Sequence, residues 1–541
     1  MSKSERNLVL ILLCVCLTLF FFRLGSRPLW NIDEGKHAVT SKEMVLSGDW
    51  ITPTLYGENF YDKPILFNWL AALSFLVFGF TEFAARFPAA ILGLGCVVVT
   101  YLLGRSMFGP TTGFLGGMIL ATSGMFIALS RSVVHDIALV FFMTLALFFF
   151  YLGYTSEPRR KTYFLLFYAS LGFAVLAKGP LGVLLPGLII GLLLLLKGRL
   201  SFLKEMAMGW GVLVFLIVAA PWYVLISLNN SDYAGYFFIE NNIMRFLSPK
   251  ALHAGPFYFY FPILLGGFSP WSFFLPLAFI HAFRGGWKGM NDGTLFLILW
   301  FSVTFLFFSA ASSKGNAYLL PLFPAASLLV GILWRELFEA PTPWLRKGFI
   351  YFFLPLVLTL VGGLIYLLVD PPTIVRDRYG VDLMQINLFG SILVVIIALS
   401  FVALLKKHYR VCFGVTSGLV VFGGLVFIVL VAPVVNPYRS SKALAQRMDA
   451  MASRGQKIVF FRRIRESAVF YTGRKVVRLR HDPQLIQYLN SNKSALIIMH
   501  KRHLERVESL KSLGYVVARE GNDVLIAAKA PVDRKFEPGE P

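Results

Sequence analysis

Apolar residues in this chain come in unbroken runs of roughly 17–25, the length at which a helix crosses the hydrocarbon core of a bilayer. About fourteen such runs can be marked, near 7–23, 64–80, 84–107, 111–130, 136–154, 162–178, 180–197, 206–228, 256–281, 293–311, 317–335, 347–369, 386–405 and 409–433. Composition agrees. The chain is 57% hydrophobic and 15% charged, with a mean hydropathy of +0.69, where a soluble domain carries about 25% charged residues. A soluble enzyme and a disordered chain are both excluded. The expected fold is mainly α, a polytopic membrane protein.

The 51 Lys+Arg against 29 Asp+Glu leave a net charge of +22. In a soluble protein that excess would point to nucleic acid. Here membrane lipids and cytoplasmic loops account for it, and nucleic acid is not an expected partner. The four cysteines all sit inside apolar runs without paired spacing, as packing residues do. Lys3 and Arg6 precede the first run with no small-residue cleavage site behind it, which reads as an uncleaved signal anchor with its N-terminus in the cytoplasm.

Loop charge sets the topology. The basic loops are Glu157–Lys161, Lys197–Lys204, His281–Lys288, Arg335–Lys347 and Lys406–Arg410. Counting every run as a span places them outside. Dropping 64–80, which is short, opens with Lys63-Pro64 and carries Asn68 and Trp69, places them all inside. That run is expected to lie along the outer face. About thirteen spans remain, with 24–83, Arg131–Asp136, 229–255, Ser312–Tyr318, 370–385 and everything after about 434 exterior. Composition shifts at Asn436-Pro437: residues 437–541 hold 21 Lys+Arg and 10 Asp+Glu. Ser440–Ala452 has a helical pattern. Strand-like runs follow at Lys457–Phe461, Val476–Leu479, Ala495–Met499, Tyr515–Ala518 and Val524–Ala528. Asp482-Pro483 starts a helix, and Lys501–Leu513 forms another that stops at Gly514. The domains expected are 1–435, a membrane domain with an exterior first loop at 24–83; 436–530, a small exterior α/β domain; and a disordered tail at 531–541. No internal repeat is visible, which argues against a transporter built from inverted halves.

The residues that carry chemistry cluster in the exterior segments. Asp33-Glu34 follows the first span, with Lys36, His37, Lys42, Glu43 and Asp49 close behind and then Asp62-Lys63-Pro64. Acids beside lysines suit phosphate chemistry: lysine neutralises the phosphate, and a carboxylate accepts a proton or orients an acceptor. The same residues could equally be an ordinary charged surface loop. Asp136 heads an apolar run, with Lys63 or Arg131 as its expected partner and helix capping as the alternative role. Lys178, Arg245, His253 and Lys314 fall on the same exterior face, where cations suit an anionic headgroup or a departing phosphate; singly, each could be a snorkelling anchor. No zinc spacing, Walker loop, dinucleotide fingerprint or nucleophile elbow occurs. A divalent metal ion at Asp62 or Asp136 has no supporting spacing.

The stretches Leu29–Glu34, Ser47–Pro53 and Tyr61–Pro64, followed in order by Arg131–Asp136, Ala177–Pro180, Pro256–Tyr260, Phe268–Trp271 and Ser312–Pro321, resemble the lipid A 4-amino-4-deoxy-L-arabinose transferases. They also resemble the wider protein O-mannosyltransferase-like membrane glycosyltransferases, glycosyltransferase family 39. The resemblance covers roughly 25–325. It implies a GT-C fold and inverting transfer of a sugar from polyprenyl phosphate at the periplasmic face of a bacterial inner membrane. It places the catalytic acid at Asp33, with Glu34 beside it and a second exterior acid at Asp136. The donor-phosphate cations fall at Lys36, Lys63, Arg245 and Lys314, with Tyr318 among the donor contacts. Asp62 stands where the family has glutamate, Lys36 where the arabinose transferases have arginine, and Asn242 where a histidine that can join a metal site is common. Asp62, Arg131, Lys178 and His253 remain further site candidates. The implied partners are a polyprenyl-phosphate-linked sugar and lipid A, or else a protein hydroxyl or another envelope glycan. A reading from another class is a transporter or flippase for an anionic lipid, but this chain gathers its charges on one face rather than at the midplane. A scaffold would leave the Asp33–Lys63 loop without a purpose.

Overall fold

The computed structural model describes residues 2–244, 255–286, 289–369, 383–453, 455–492, 494–507 and 510–528. Arg245, His253 and the expected tail at 531–541 lie outside them, as does most of the expected exterior stretch 370–385. The chain forms two compact units. One holds residues 1–24, 61–70 and 86–428; the other holds 25–60, 71–85 and the chain from Val429 onward. Residues 25–60 and 71–83 of the first loop therefore cluster with the C-terminal segment, while 61–70 does not, a grouping across some 400 residues that no composition shift announces.

The first unit is helical because its long apolar runs satisfy their backbone polar groups within each segment, as hydrocarbon requires of any span outside a closed barrel. Among the described residues nine helices are long and apolar enough to cross a membrane, or up to eleven if each of two bent pairs is one span. The pairs are Pro110–Ala121 with Gly124–Ser130, bent by 69°, and Phe257–Gly267 with Trp271–Phe283, bent by 114°. The expected thirteen also included Arg160–Lys178, whose ends are basic, and Leu181–Leu196, which has 16 residues. Leu66–Phe78 is helical over only 13 residues, about 20 Å at 1.5 Å per residue and too short to span.

Asn316–Glu339 is central, with 83% of its most apolar window buried, against 17% for Pro343–Tyr366, Leu388–Leu405 and Tyr409–Arg439. It passes Pro110–Ala121 with almost no side chain between: a Cβ on Gly331 would stand 3.0 Å from the Gly116 nitrogen. Small residues permit that approach where hydrophobicity supplies no drive between helices. Trp271, Trp300 and Trp334 are fully buried. Trp271 donates to Thr122 Oγ1 (3.0 Å) and Trp300 to the Pro321 carbonyl (2.8 Å), so two indole N–H groups are satisfied.

The basic loops of this unit are tied to each other. Arg160 pairs with Glu205, Lys197 with Asp292, and Tyr154 donates to Asp292 at 2.7 Å. Asp136 pairs with Lys178 at the opposite ends of the same helices, Asp136–Thr155 and Arg160–Lys178. Residues in or beside three of the five loops that charge had grouped, Glu157–Lys161, Lys197–Lys204 and His281–Lys288, are thus joined at one end of the bundle.

In the second unit, helix Asp33–Ser47 runs from the loop into a hairpin of β1 (Thr54–Leu55) and β2 (Glu58–Asn59). The hairpin turn is Tyr56-Gly57, both at positive φ. The C-terminal strands, β3 (Ile458–Phe461), β4 (Val476–Leu479), β5 (Leu496–His500), β6 (Gly514–Glu520) and β7 (Asp523–Ala528), form one sheet in the order β4-β3-β5-β7-β6. The first three are parallel and the last two antiparallel. The strands match their expected positions, as do helices Lys442–Met451 and Asp482–Ser491. The expected helix 501–513 is two shorter helices, Lys501–Arg506 and Leu510–Leu513. Leu485, Ile497, Met499, Leu510, Val524 and Ile526 form the core of the sheet domain.

Candidate active site

Asp33 and Glu34 are neighbours with opposite fates. Glu34 is buried: its Oε1 accepts from Arg27 at 2.8 Å and its Oε2 from the Trp30 backbone N–H at 3.0 Å. The Arg27 guanidinium lies 4.0 Å from the centre of the Trp30 ring, and Trp30 Nε1 donates to Asn436 Oδ1 at 3.0 Å. Asp33 is exposed, and among the described residues its carboxylate makes no hydrogen bond or ion pair. The other acids of the helix and its following turn are engaged. Glu43 accepts from Thr54 Oγ1, Tyr56 N and Gly57 N, fixing the hairpin. Asp49 Oδ1 accepts from Ile51 N and Thr52 N.

The backbone under Asp33 is strained. Ile32, its N-cap residue, has φ +77° and ψ −99°, a conformation β-branched residues avoid and that costs of order 1–3 kcal/mol. Its N–H donates to Glu466 Oε2 at 3.2 Å, and Asn31 N donates to the Arg439 carbonyl at 2.7 Å. Asn31 Oδ1 in turn accepts from Ser467 N and Oγ. Burial holds the Glu466 carboxyl above its ordinary range. Gly35 lets helix Glu466–Thr472 approach, since a Cβ there would stand 2.5 Å from Glu466 Cβ. Lys36 is half-buried one turn beyond Asp33, on the same helix face. Lys42 donates to the Phe470 carbonyl at 2.6 Å, and burial lowers its pKa.

In the helical unit Lys63 Nζ lies 3.1 Å from both the carboxylate and the carbonyl of Asp62. Tyr61 donates to Asn230 Oδ1 at 2.7 Å and sets its ring edge-on to Tyr233. Asp136, at the start of its helix, pairs with buried Lys178 at the end of another, and the Lys178 ammonium sits 4.6 Å from the centre of the Tyr318 ring. These three sequence candidates are thus brought together. The partner of Asp136 is Lys178, neither Lys63 nor Arg131. Arg131 instead donates to the carbonyls of Leu19 and Phe22 at 2.7 and 2.9 Å, closing the last turn of the first helix. Burial, then Arg86, pulls its pKa down to about 10. Lys314 donates to the Phe308 and Ser309 carbonyls at the end of helix Asp292–Ala310, and burial lowers its pKa. It lies 5.4 Å from the Tyr260 ring centre. Among the described residues no three of His, Cys, Asp and Glu converge on a metal-sized site. Asp62 and Asp136, the weak metal candidates, face lysines.

Sequence reasoning missed Arg27, Asn31, Glu466 and Ser467, which hold the Asp33 turn. Arg27 lies seven residues before Glu34, but Glu466 and Ser467 reach Ile32 and Asn31 across more than 400 positions, a pairing no spacing could have revealed. The one local signal was Trp30-Asn31 beside the acid pair.

Residues 62–225 match the family described as dolichyl-phosphate-mannose-protein mannosyltransferase. A relative from Aeromonas salmonicida (strain A449), an undecaprenyl phosphate-alpha-4-amino-4-deoxy-L-arabinose arabinosyl transferase, is 32% identical over 58% of this chain and 57% of its own length. A like-named relative from Pseudomonas fluorescens is 31% identical over 72% of this chain and 71% of its own. Of the Aeromonas relative, then, this chain spans under two thirds. The crystal structure of ArnT from Cupriavidus metallidurans bound to undecaprenyl phosphate superposes with a TM-score of 0.83, covering 99% of this chain and 100% of that one at 22% identity. The GT-C fold is shared.

Proposed function

We propose that this chain, which belongs to the family of the undecaprenyl phosphate-4-amino-4-deoxy-L-arabinose arabinosyl transferases, moves a sugar from polyprenyl phosphate to lipid A at the periplasmic face of a bacterial inner membrane. The names of its relatives support the donor and the sugar class. The observation that carries the catalytic assignment is the unbonded Asp33 carboxylate on a strained, multiply anchored turn.

The transfer is a single displacement. An acceptor oxygen forms a bond to the anomeric carbon as the bond from that carbon to the phosphate oxygen breaks, and polyprenyl phosphate leaves with the electron pair. The configuration inverts. A hydroxyl acceptor must lose a proton, and Asp33 takes it. A lipid A phosphate has none to lose, and Asp33 then orients the acceptor and balances positive charge developing on the sugar. Lys63, Lys36 and Arg245 are assigned to the donor phosphate, where fixed cations favour the departing anion more than the bound ester. The mannosyltransferase match at 62–225 supports a protein hydroxyl as the second acceptor.

Mass spectrometry of envelope lipids from cells with and without the protein tests this reading, with Asp33→Asn as control. A pentose- or hexose-sized addition to lipid A that needs both the protein and Asp33 supports it. Unchanged lipid A together with newly glycosylated protein moves the assignment to a protein acceptor. No transfer to either, with purified polyprenyl-phosphate sugar supplied, rejects the enzyme reading.

A further inference from the structure

The C-terminal sheet carries a feature that sugar transfer does not use. From β3 the chain crosses to β4 on one side, and from β4 it crosses back to β5 on the other. The carboxyl ends of β3 and β5 therefore flank a topological switch point, the place where open α/β sheets bind ligands. The segments leaving these strands are Phe461-Arg462-Arg463-Ile464-Arg465 and His500-Lys501-Arg502-His503, and β4 releases Arg480 beside them.

Contacts hold these segments at one edge. The His503 ring sits edge-on to Phe461 at 5.4 Å and lies 6.2 Å from His500. Arg502 N donates to His500 Nδ1 at 3.2 Å. The cations are only partly compensated. Arg462 pairs with Asp482 at 2.9 Å, and Arg465 makes a two-pronged contact with Asp523. Arg463, Arg480, Lys501 and Arg502 are exposed, and among the described residues no carboxylate pairs with them. Burial, helped by neighbouring arginines, lowers the pKa of His500 and His503.

The backbone adds an independent sign. Arg462 has φ +63°, a left-handed conformation uncommon outside glycine, asparagine and aspartate. It is pinned there from β4: its N–H donates to the Leu479 carbonyl, and its own carbonyl accepts from Arg478 Nε at 3.0 Å. Such strain persists where a structure presents a group for use. Here it turns the chain so that two arginines follow the strand end directly.

We propose that this edge is a binding site for a phosphate-bearing anion, held by Arg463, Lys501 and Arg502 with Arg480 at the rim. Guanidinium forks match phosphate oxygens in pairs, and a lysine adds a point charge. The phosphate belongs to a lipid headgroup or to a soluble phosphate compound; the chemistry recognised is the same.

The test uses the full chain in phosphatidylcholine nanodiscs, titrated calorimetrically with inorganic pyrophosphate, so its outcome is independent of sugar transfer. Saturable one-to-one binding that weakens with salt is expected. Arg463→Ser with Arg502→Ser should weaken it by about tenfold or more, as should the single reversal Arg463→Glu. Lys457→Ser with Lys475→Ser removes equal charge from exposed positions at the amino ends of β3 and β4 and should leave binding within about twofold. No saturable binding, or equal losses from both pairs, overturns the proposal. Nanodiscs containing phosphatidylglycerol identify the source. A headgroup in the site weakens pyrophosphate binding by the wild-type chain and the Lys457/Lys475 variant but not by the Arg463/Arg502 variant. A site for soluble phosphate shows no such selective competition.

Discussion

At the scale of single residues, the acid pair separates into an exposed carboxylate and a buried, hydrogen-bonded one. Asp33→Asn removes one charge from an exposed side chain, so folding should be unaffected and transfer should fall by about 10²-fold or more, with donor binding retained. Glu34→Gln also weakens transfer, but by loosening the turn: amide exchange at Trp30 should accelerate in Glu34→Gln and stay unchanged in Asp33→Asn. Asp136 obeys a third rule. Its partner Lys178 is buried, and an unpaired buried charge costs about 3–5 kcal/mol. Asp136→Asn should therefore lower the unfolding temperature clearly, and Asp136→Asn with Lys178→Met should recover most of the loss. If the double variant regains stability without transfer, the pair acts in the reaction; if transfer returns too, it is an internal strut. The sequence made Asp33, Lys63 and Asp136 legible because charge is conspicuous among apolar runs. The family resemblance alone set Asp33 apart from Glu34; residue chemistry could not, because the buried anchoring of the turn runs through Asn436 and Glu466, which only the folded chain brings close.

At the scale of elements, close approach decides. Helix Asp33–Ser47 meets helix Glu466–Thr472 at Gly35, where an added Cβ would overlap Glu466 Cβ at 2.5 Å. Gly35→Ala should push the helices apart at a cost of about 1–3 kcal/mol, shift the Ile32 contact with Glu466 and reduce transfer; faster hydrogen exchange across both helices would show it. The sheet supplies a pH effect. Burial raises the Glu520 carboxyl from 4.5 to about 7, against the opposing effect of backbone N–H donors. The folded form thus holds this proton more tightly than the unfolded chain does. The carboxyl contributes no penalty below about pH 4.5, loses ground progressively as pH rises to about 7, and destabilises β6 and β7 fully above that. Glu520→Gln, which can still accept from Leu444 N, should flatten this dependence. Exchange protection of 514–528, corrected for intrinsic rate, would then no longer decline between pH 5 and 7.5. The strands were readable because β-branched runs between turn residues carry their own signal. The return of 25–60 to the C-terminal segment was not, since loop closure over such distances leaves no periodic mark.

At the scale of the whole molecule, charge and connectivity converge on one arrangement. Counting loops by sign groups Glu157–Lys161, Lys197–Lys204, His281–Lys288, Arg335–Lys347 and Lys406–Arg410 on one face. The pairs Arg160–Glu205 and Lys197–Asp292 join residues in or just beyond the first three of them. Asp136, Lys178 and Tyr318 meet at the far ends of the helices that begin or end there. A bundle with basic loops at one end and the paired acid at the other has two ways to sit in a bilayer, and the positive-inside bias selects the one with its basic end in the cytoplasm. That orientation is the one the proposed function requires: with Asp136 at the periplasmic face, a membrane-carried donor would supply an activated sugar without nucleotide. The prediction is direct. In a variant with all four native cysteines replaced, Ser47→Cys and Glu157→Cys both introduce thiols at exposed positions. A membrane-impermeant maleimide applied to spheroplasts should label Ser47→Cys at once and Glu157→Cys only after permeabilisation. The reverse pattern would put the Asp33 loop in the cytoplasm, where it would meet neither lipid A in its final leaflet nor a flipped polyprenyl-linked sugar. The transfer reading would then fail on geometry, before any assay of chemistry.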